Sequence, residues 1–353
     1  MDRRSAVVVV VIAVAALVVA AILFAASDDT SNLAAPSTTQ PPDGVPSTTA
    51  ETTDTSAPPS STTSTPQAVE TTTPTAADTP SPTLAPGTNA CSPYRSITTA
   101  GVVSSPDLVE ASGMAASRTK PGVVWAHNDS RDGARVYAIG PNGEDLGAFE
   151  IAGASAFDWE DMAAGPGADA ATSVLYFGDI GDNFAIRSGR ITVYRAPEPD
   201  PGTLSGSIEG AVALEFSYPD GTHNAEALFV ADDSIYIVTK DPEEARIYRG
   251  STTGADSDVE MLELLTVVSI GGEISGADMS WDGGTIAFRG YDAVWMWHRE
   301  PGATIAETLA GEPCNAPSPD EVQGEAIAFL ADNAYSTVSE GATPDLHVIP
   351  YEP

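Results

Sequence analysis

The sequence predicts an all-β fold, a β-propeller of five four-stranded blades that an N-terminal strand closes. Two observations carry this prediction. One short unit recurs five times within residues 91–353, and each copy is followed by short runs rich in aromatic and β-branched residues. No helical pattern of any length separates these runs. Short strands at regular spacing, without helices between them, are typical of a propeller.

The repeated unit ends in Met, Leu or Ile, and its end positions are 48, 66, 51 and 48 residues apart. Its copies are residues 110–114, 158–162, 224–228, 275–279 and 323–327. Each copy is predicted to begin the innermost strand of a blade. Five copies predict five blades, or six if the 66-residue interval contains a degenerate blade.

Further strands are predicted after each copy. The second strands are residues 123–127, 174–178, 234–238, 285–289 and 334–338, and the third strands are residues 135–139, 190–194, 246–249, 293–297 and 346–349. The fourth strands of the first four copies are residues 146–151, 211–218, 261–270 and 304–309. The last copy has three strands, so residues 97–103 are predicted to supply its fourth. Closing the ring in this way removes two exposed sheet edges.

The only two cysteines, Cys91 and Cys314, are predicted to form one disulfide near the seam of the ring. The alternative is a pair of buried free thiols.

The N-terminal segments predict export. Arg3 and Arg4 precede the uncharged apolar residues 6–26, a run long enough for a single membrane-spanning helix with the N-terminus in the cytoplasm. The alternative is a cleaved signal peptide and a secreted protein. Residues 1–27 are therefore the anchor or signal, residues 28–90 a disordered Ser/Thr/Pro-rich stalk, and residues 91–353 the propeller outside the cytoplasm.

The chain is strongly acidic, with 50 Asp and Glu against 15 Lys and Arg and a formal net charge of −35. Eight of these acids lie in residues 1–90, so 42 belong to the propeller. A nucleic-acid partner is excluded, because binding to phosphates needs a basic surface.

Two positions of the repeated unit predict a cation site. The residues four and two places before the unit's last residue share a face of the innermost strand, which lines the central channel. Oxygen-bearing side chains at these positions suit Ca²⁺ better than zinc. The predicted metal ligands are Glu110, Ser112, Asp158, Glu160, Glu226 and Glu325. The alternative is that these residues cap loop amides.

The units at residues 110–114, 158–162 and 323–327 resemble those of extracytoplasmic propellers, namely the SdiA-regulated and phytase esterase-like propellers and, more distantly, the calcium-activated apyrases. In the apyrases, Ser and Glu side chains at the start of inner strands surround a calcium ion. The resemblance implies an extracytoplasmic propeller with calcium in its channel.

Because the second strand of each blade runs antiparallel to the first, its end is predicted to meet the start of the innermost strand on one rim, and further polar residues are predicted to collect there. They are His127, Asn128, Asp129, Asp132, Asp179, Asp182, Asn183, His223, Lys240, Asp241, Arg289, Asp292 and Glu340.

Two functions follow from these patterns. The favoured one is a membrane-tethered propeller that binds a ligand or an extracellular protein. The alternative is a calcium-dependent hydrolase of a phosphoester, lactone or sugar ester. In that hydrolase, Glu160 or Asp161 would hold the metal. The candidate catalytic residues are His127 or Asp179 as base and Lys240 and Arg289 for an anionic substrate.

Overall fold

The computed structural model describes residues 89–129, 132–166, 172–202, 205–254 and 259–353. The predicted anchor and nearly all of the predicted stalk lie outside these residues. Within the described ranges, no helix has the length and apolar character needed to cross a membrane.

The described strands form five small sheets, which confirms the all-β, five-bladed propeller. Blade 1 contains, from the channel outward, β2 (Ala111–Ala116), β3 (Val124–Asn128), β4 (Arg135–Ile139), β5 (Asp145–Ile151) and β9 (Ser205–Ile208). Blade 2 contains β6 (Trp159–Pro166), β7 (Ser173–Asp179), β8 (Arg190–Pro197), β10 (Val212–Ser217) and β14 (Glu260–Met261).

The other three blades have four strands each. Blade 3 contains β11 (Ala225–Ala231), β12 (Ser234–Thr239), β13 (Ala245–Ser251) and β15 (Glu263–Val268). Blade 4 contains β16 (Gly276–Met279), β17 (Thr285–Arg289), β18 (Val294–His298) and β19 (Cys314–Ala316). Blade 5 contains β20 (Gly324–Phe329), β21 (Tyr335–Ser339), β22 (Asp345–Ile349) and β1 (Thr98–Val102). The five innermost strands contact one another in ring order, β2, β6, β11, β16 and β20.

The ring closes as the sequence predicts. Strand β1 pairs antiparallel with β22, so the start of the domain completes its last blade. The predicted disulfide is confirmed, because Cys91 and Cys314 are bonded. It joins the segment before β1 to the outermost strand of blade 4, next to the closing blade.

The described residues of the 66-residue interval, between the second and third units, form no sixth blade. The extra residues of this interval include β9, which adds to the outer edge of blade 1 parallel to β5. Blade 2 gains β14 in the same way, parallel to β10.

The prediction of a strand at residues 304–309 is wrong. This segment forms the short helix α1 (Ile305–Leu309), and β19 is the fourth strand of blade 4 instead. A capping box begins the helix: the Thr304 hydroxyl accepts the N–H of Glu307, whose carboxylate accepts the N–H of Thr304. Ile305 and Leu309 then lie one turn apart and are both buried.

The core lies between neighbouring blades. Between blades 1 and 2, for example, the ring of Trp159 in blade 2 packs edge-on against His127 of blade 1, with ring centroids 5.4 Å apart, and stacks on Phe177 of its own blade. The buried Trp159 fixes the start of β6. Because side chains alternate along a strand, its neighbours Asp158 and Glu160 are directed away from this core.

Candidate metal centre

Three carboxylates from blades 1 and 2 converge at one mouth of the central channel. Asp129 follows β3, Asp158 precedes β6 and Glu160 is the second residue of β6. One carboxylate oxygen of each lies within 4.8 Å of the others. Glu160 is only 3% exposed, whereas Asp129 and Asp158 are half-buried. We call these three residues the carboxylate cluster. It is buried at its base and open on the rim.

Two oxygens of the carboxylate cluster are buried without a hydrogen-bond partner among the described residues. They are Oε1 of Glu160 and Oδ1 of Asp129. A buried carboxylate oxygen without a donor is unfavourable, since it has lost its water and gained nothing in return. A cation is the group that satisfies several such oxygens at once.

A glycine forms one wall of the carboxylate cluster. A Cβ atom at Gly181 would overlap Oε1 of Glu160 and lie 2.6 Å from Oδ2 of Asp158. The Gly181 N–H donates to the main-chain carbonyl of Asp158 at 3.2 Å, which fixes the wall in place. The absence of a side chain at position 181 therefore leaves room beside the two carboxylates.

Burial and mutual repulsion raise the pKa values of the cluster. Burial is the largest cause in each case, and neighbouring carboxylates add to it. The pKa of Asp129 rises to about 7, that of Asp158 rises from its ordinary value, and that of Glu160 rises well above it. Positive charge placed among the three would oppose this effect.

The opposite side of the mouth carries its own counter-charge. The Lys240 ammonium lies 2.6 Å from Oε2 of Glu226 and 5.3 Å from the centroid of the Tyr291 ring. The Asn224 amide donates to Oε1 of Glu226 at 3.1 Å. Glu226 thus has partners on both of its carboxylate oxygens, unlike Glu160.

Glu325, from blade 5, has an amide partner. The Gln323 side chain donates to Oε1 of Glu325 at 2.9 Å. Burial raises the pKa of Glu325 to about 8. Oε1 of Glu325 has a donor in the protein, unlike Oε1 of Glu160.

The structure brings two of the six predicted metal ligands, Asp158 and Glu160, into the carboxylate cluster. Glu226 and Glu325 have the partners described above. The Ser112 hydroxyl donates to the main-chain carbonyl of Glu160 at 2.5 Å, which links blades 1 and 2.

The sixth predicted ligand, Glu110, contacts the carboxylate cluster through a main-chain hydrogen bond. Its main-chain carbonyl accepts the N–H of Asp129 at 2.9 Å, and its charge raises the pKa of Asp129. Asp129 itself was predicted as a rim residue but not as a ligand, because it follows a second strand and lies outside the repeated unit.

Three of the four candidate catalytic residues are buried. His127 is fully buried against Trp159, with ring centroids 5.4 Å apart, and burial lowers its pKa to about 4. Asp179 accepts the N–H of Asp158 at 3.0 Å and pairs with Arg187.

The third of these, Arg289, is buried and pairs with Glu321, which also accepts the Thr337 hydroxyl at 3.0 Å. The fourth candidate, Lys240, lies at the channel mouth in the ion pair with Glu226.

Two further aspartates hold the inner strands together and were not singled out for this role by the sequence. Oδ2 of Asp161 accepts the N–H groups of Leu228 at 2.8 Å and Ala277 at 3.0 Å, from blades 3 and 4. Oδ2 of Asp278 accepts the N–H of Phe329, from blade 5, at 2.7 Å. Both aspartates stand one place before the end of the repeated unit, which is the signal that could have found them. Asp161 is therefore occupied by backbone donors.

An arginine and a tryptophan lie across the far end of the channel. Arg118, in the loop after β2, donates to the Ala164 carbonyl of blade 2 at 3.1 Å. Its guanidinium lies 4.7 Å from the ring centroid of Trp281, which follows β16 in blade 4. The Trp281 indole in turn donates to the Phe329 carbonyl of blade 5 at 3.0 Å. These contacts join four blades at that end.

Comparison with known proteins gives no family. No family model matches the chain, and no curated protein matches it. Three solved structures that resemble it are a PQQ-bound aldose sugar dehydrogenase from Streptomyces coelicolor, a gluconolactonase from Xanthomonas campestris and a streptogramin B lyase. Their identities are 13%, 12% and 12%, and their TM-scores are 0.42, 0.43 and 0.39. Each covers 72% of this chain, and 98%, 89% and 97% of their own chains are covered.

These similarities are too low to indicate a function, and the five sheets of the structure alone define the chain as a β-propeller. The resemblance to the SdiA-regulated and phytase esterase-like propellers and to the apyrases stays a prediction.

Proposed function

We propose that this propeller binds a divalent cation, Ca²⁺, in the carboxylate cluster and uses the surrounding rim to bind a ligand or a protein. The observation that carries the proposal is the Glu160 carboxylate. It is 3% exposed, Oε1 has no hydrogen-bond partner among the described residues, and it lies beside Asp129 and Asp158. A carboxyl group this buried stays ionised only where a counter-ion can reach it.

The chemistry of the donors favours calcium. All three side chains offer carboxylate oxygen, and neither histidine nor cysteine belongs to the cluster. Ca²⁺ takes six to eight oxygens at about 2.3–2.6 Å in flexible geometry, whereas zinc prefers nitrogen and sulfur ligands. Because Asp129 and Asp158 are half-buried, water or a ligand can complete the coordination from the rim.

The proposal includes the setting of the domain. The predicted anchor and stalk would hold it outside the cytoplasm, on the membrane or, if the anchor is cleaved, as a secreted protein. The Cys91–Cys314 disulfide supports an oxidising compartment.

Calcium binding is tested by titrating the purified full-length protein after treatment with EDTA. Isothermal titration calorimetry should detect one Ca²⁺ per chain, and chelation should lower the melting temperature. Glu160→Gln removes the buried charge and should weaken binding by at least about tenfold, or 1.4 kcal/mol. Glu150→Gln, on the exposed outer part of blade 1, is the matched control and should bind like the parent. Absence of Ca²⁺ binding by the parent protein would refute the proposal.

A hydrolase is the second candidate, and Asp129 is the observation in its favour. This carboxyl group is half-buried at the rim, and burial raises its pKa to about 7, the range in which a general base works best. Against it stands the burial of His127, Asp179 and Arg289, which keeps these side chains from a substrate on the rim. The test is a substrate panel of a phosphoester, a lactone and an acetylated sugar. Turnover that disappears both with chelator and in Asp129→Asn would establish the hydrolase, and a silent panel would favour the binding module.

A further inference from the structure

One loop at the channel mouth has a fixed shape. Between β7 and β8, the buried carboxylate of Asp182 accepts the N–H of Ile186 at 2.7 Å and that of Arg187 at 3.1 Å. The Arg187 guanidinium folds back onto Asp179 and the main-chain carbonyl of Gly181. A φ of +51° at Ala185 is unfavourable for a non-glycine residue, so these contacts hold the backbone in a conformation that it would otherwise leave.

We call residues 180–189, between β7 and β8, the braced loop. Two of its large apolar side chains are exposed and not buried. Phe184 is 77% exposed and Ile186 is 61% exposed. Phe157, from the neighbouring loop before β6, is 58% exposed, and the Arg187 guanidinium lies 4.7 Å from its ring centroid. We call Phe157, Phe184 and Ile186 the rim patch. Grouped apolar side chains on a rigid support are typical of binding surfaces.

The rim patch adjoins the carboxylate cluster. Phe157 directly precedes Asp158, and Gly181, the wall of the cluster, belongs to the braced loop. An apolar surface and an acidic one therefore lie side by side on the same rim. Exposed Val109 and Val322, before β2 and β20, extend the apolar character onto blades 1 and 5.

We propose that the rim patch binds a protein segment in which Lys or Arg side chains stand beside aliphatic or aromatic ones. The inference rests on the proposed binding function and names the partner of the same rim. The negative charge of the protein favours a positively charged partner. The chain carries a formal net charge of −35, so a basic segment is attracted to it. A second copy of the chain and an anionic membrane surface are repelled for the same reason.

The test uses the full-length protein and three labelled synthetic peptides of equal length, rich in Lys and Leu, in Lys and Ser, or in Glu and Leu. Fluorescence polarisation should show binding of the Lys/Leu peptide, weakened by salt. The Lys/Ser peptide should bind at least about tenfold more weakly, and the Glu/Leu peptide should not bind. The double variant Phe184→Ser with Ile186→Ser should lose at least about tenfold in affinity for the Lys/Leu peptide. Met261→Ser is the matched control, because Met261 is 69% exposed on the outer edge of blade 2.

Three results would overturn the inference. The first is equal affinity of the double variant and the control for the Lys/Leu peptide. The second is association with phosphatidylserine vesicles in preference to the peptide. The third is self-association in sedimentation that the double variant abolishes. Calcium titration of the same samples separates the two proposals: Ca²⁺ binding without peptide binding refutes only this inference, whereas loss of Ca²⁺ binding by the parent protein refutes the proposed function.

Discussion

Removal of the Asp161 carboxylate should destabilise the ring more than any exposed substitution. This fully buried side chain accepts three N–H groups, those of Met162, Leu228 and Ala277. Asp161→Ala leaves all three donors buried without an acceptor, at about 1–3 kcal/mol each. Burial raises the pKa of Asp161 well above its ordinary value, so deleting the carboxyl group also relieves an unfavourable burial. We therefore expect a net loss of about 3 kcal/mol, near the low end of the three-donor range.

Asp278 provides the internal standard for this prediction. Its carboxylate accepts two N–H groups, those of Met279 and Phe329, so Asp278→Ala should cost about two thirds as much as Asp161→Ala. Urea unfolding followed by tryptophan fluorescence reports both, since Trp159 is buried beside the start of β6. A loss below about 1 kcal/mol for Asp161→Ala, or a larger loss for Asp278→Ala, would refute the reasoning.

Three further outcomes are expected. Gly181→Ala should weaken Ca²⁺ binding by at least about tenfold in calorimetry, because the added methyl group overlaps the Glu160 carboxylate; unchanged affinity would mean that the cation lies elsewhere. Burial raises the pKa of Asp278 to about 7, so the native state binds this proton more tightly than the unfolded chain does, and the free energy of unfolding should fall as pH rises from about 4 to about 7; Asp278→Asn should reduce that slope in urea titrations at several pH values. Replacing Cys91 and Cys314 by Ser should lower the free energy of unfolding by about 2–5 kcal/mol in the same assay, and an unchanged urea midpoint would contradict a stabilising role for the disulfide at the seam.

The fold could be predicted because a propeller repeats one local pattern. Each unit begins an innermost strand, so five copies located five blades, and the spare segment before the first unit identified the closing strand β1. The disulfide could be predicted because two cysteines allow only one pairing, and the bond between Cys91 and Cys314 excludes the alternative of two free thiols.

Two features escaped this pattern. Six residues at 304–309 are too few to distinguish strand alternation from helical spacing. The capping box of Thr304 and Glu307 stabilises the start of a helix there. Strand β9 pairs with β5, which is far away in the sequence, and such a contact leaves no local signal. The interval that it lengthens therefore looked like room for another blade.

The site was predicted in part, because the repeat indicates equivalent positions but not equivalent surroundings. Glu160, Glu226 and Glu325 occupy the same place in their units. Glu226 has Lys240 as its partner, and Glu325 has an amide donor and a raised pKa. Lys240 lies outside the repeated unit, whereas Gln323 occupies the place in its unit that Asp158 has in the unit of Glu160.

This asymmetry decides where a cation can be held. A symmetric ring of carboxylates would place it on the propeller axis, at equal distance from every blade. Lys240 already pairs with Glu226 on the blade 3 side, and Gln323 donates to Glu325 on the blade 5 side. Among the described residues, the carboxylate oxygens of the mouth that lack a donor are Oδ1 of Asp129 and Oε1 of Glu160, which lie beside Asp158 and Gly181 between blades 1 and 2. The proposed cation therefore lies off the axis, beside the loop between β7 and β8. This loop contains both Gly181, which lines the carboxylate cluster, and the exposed Phe184 and Ile186 of the rim patch.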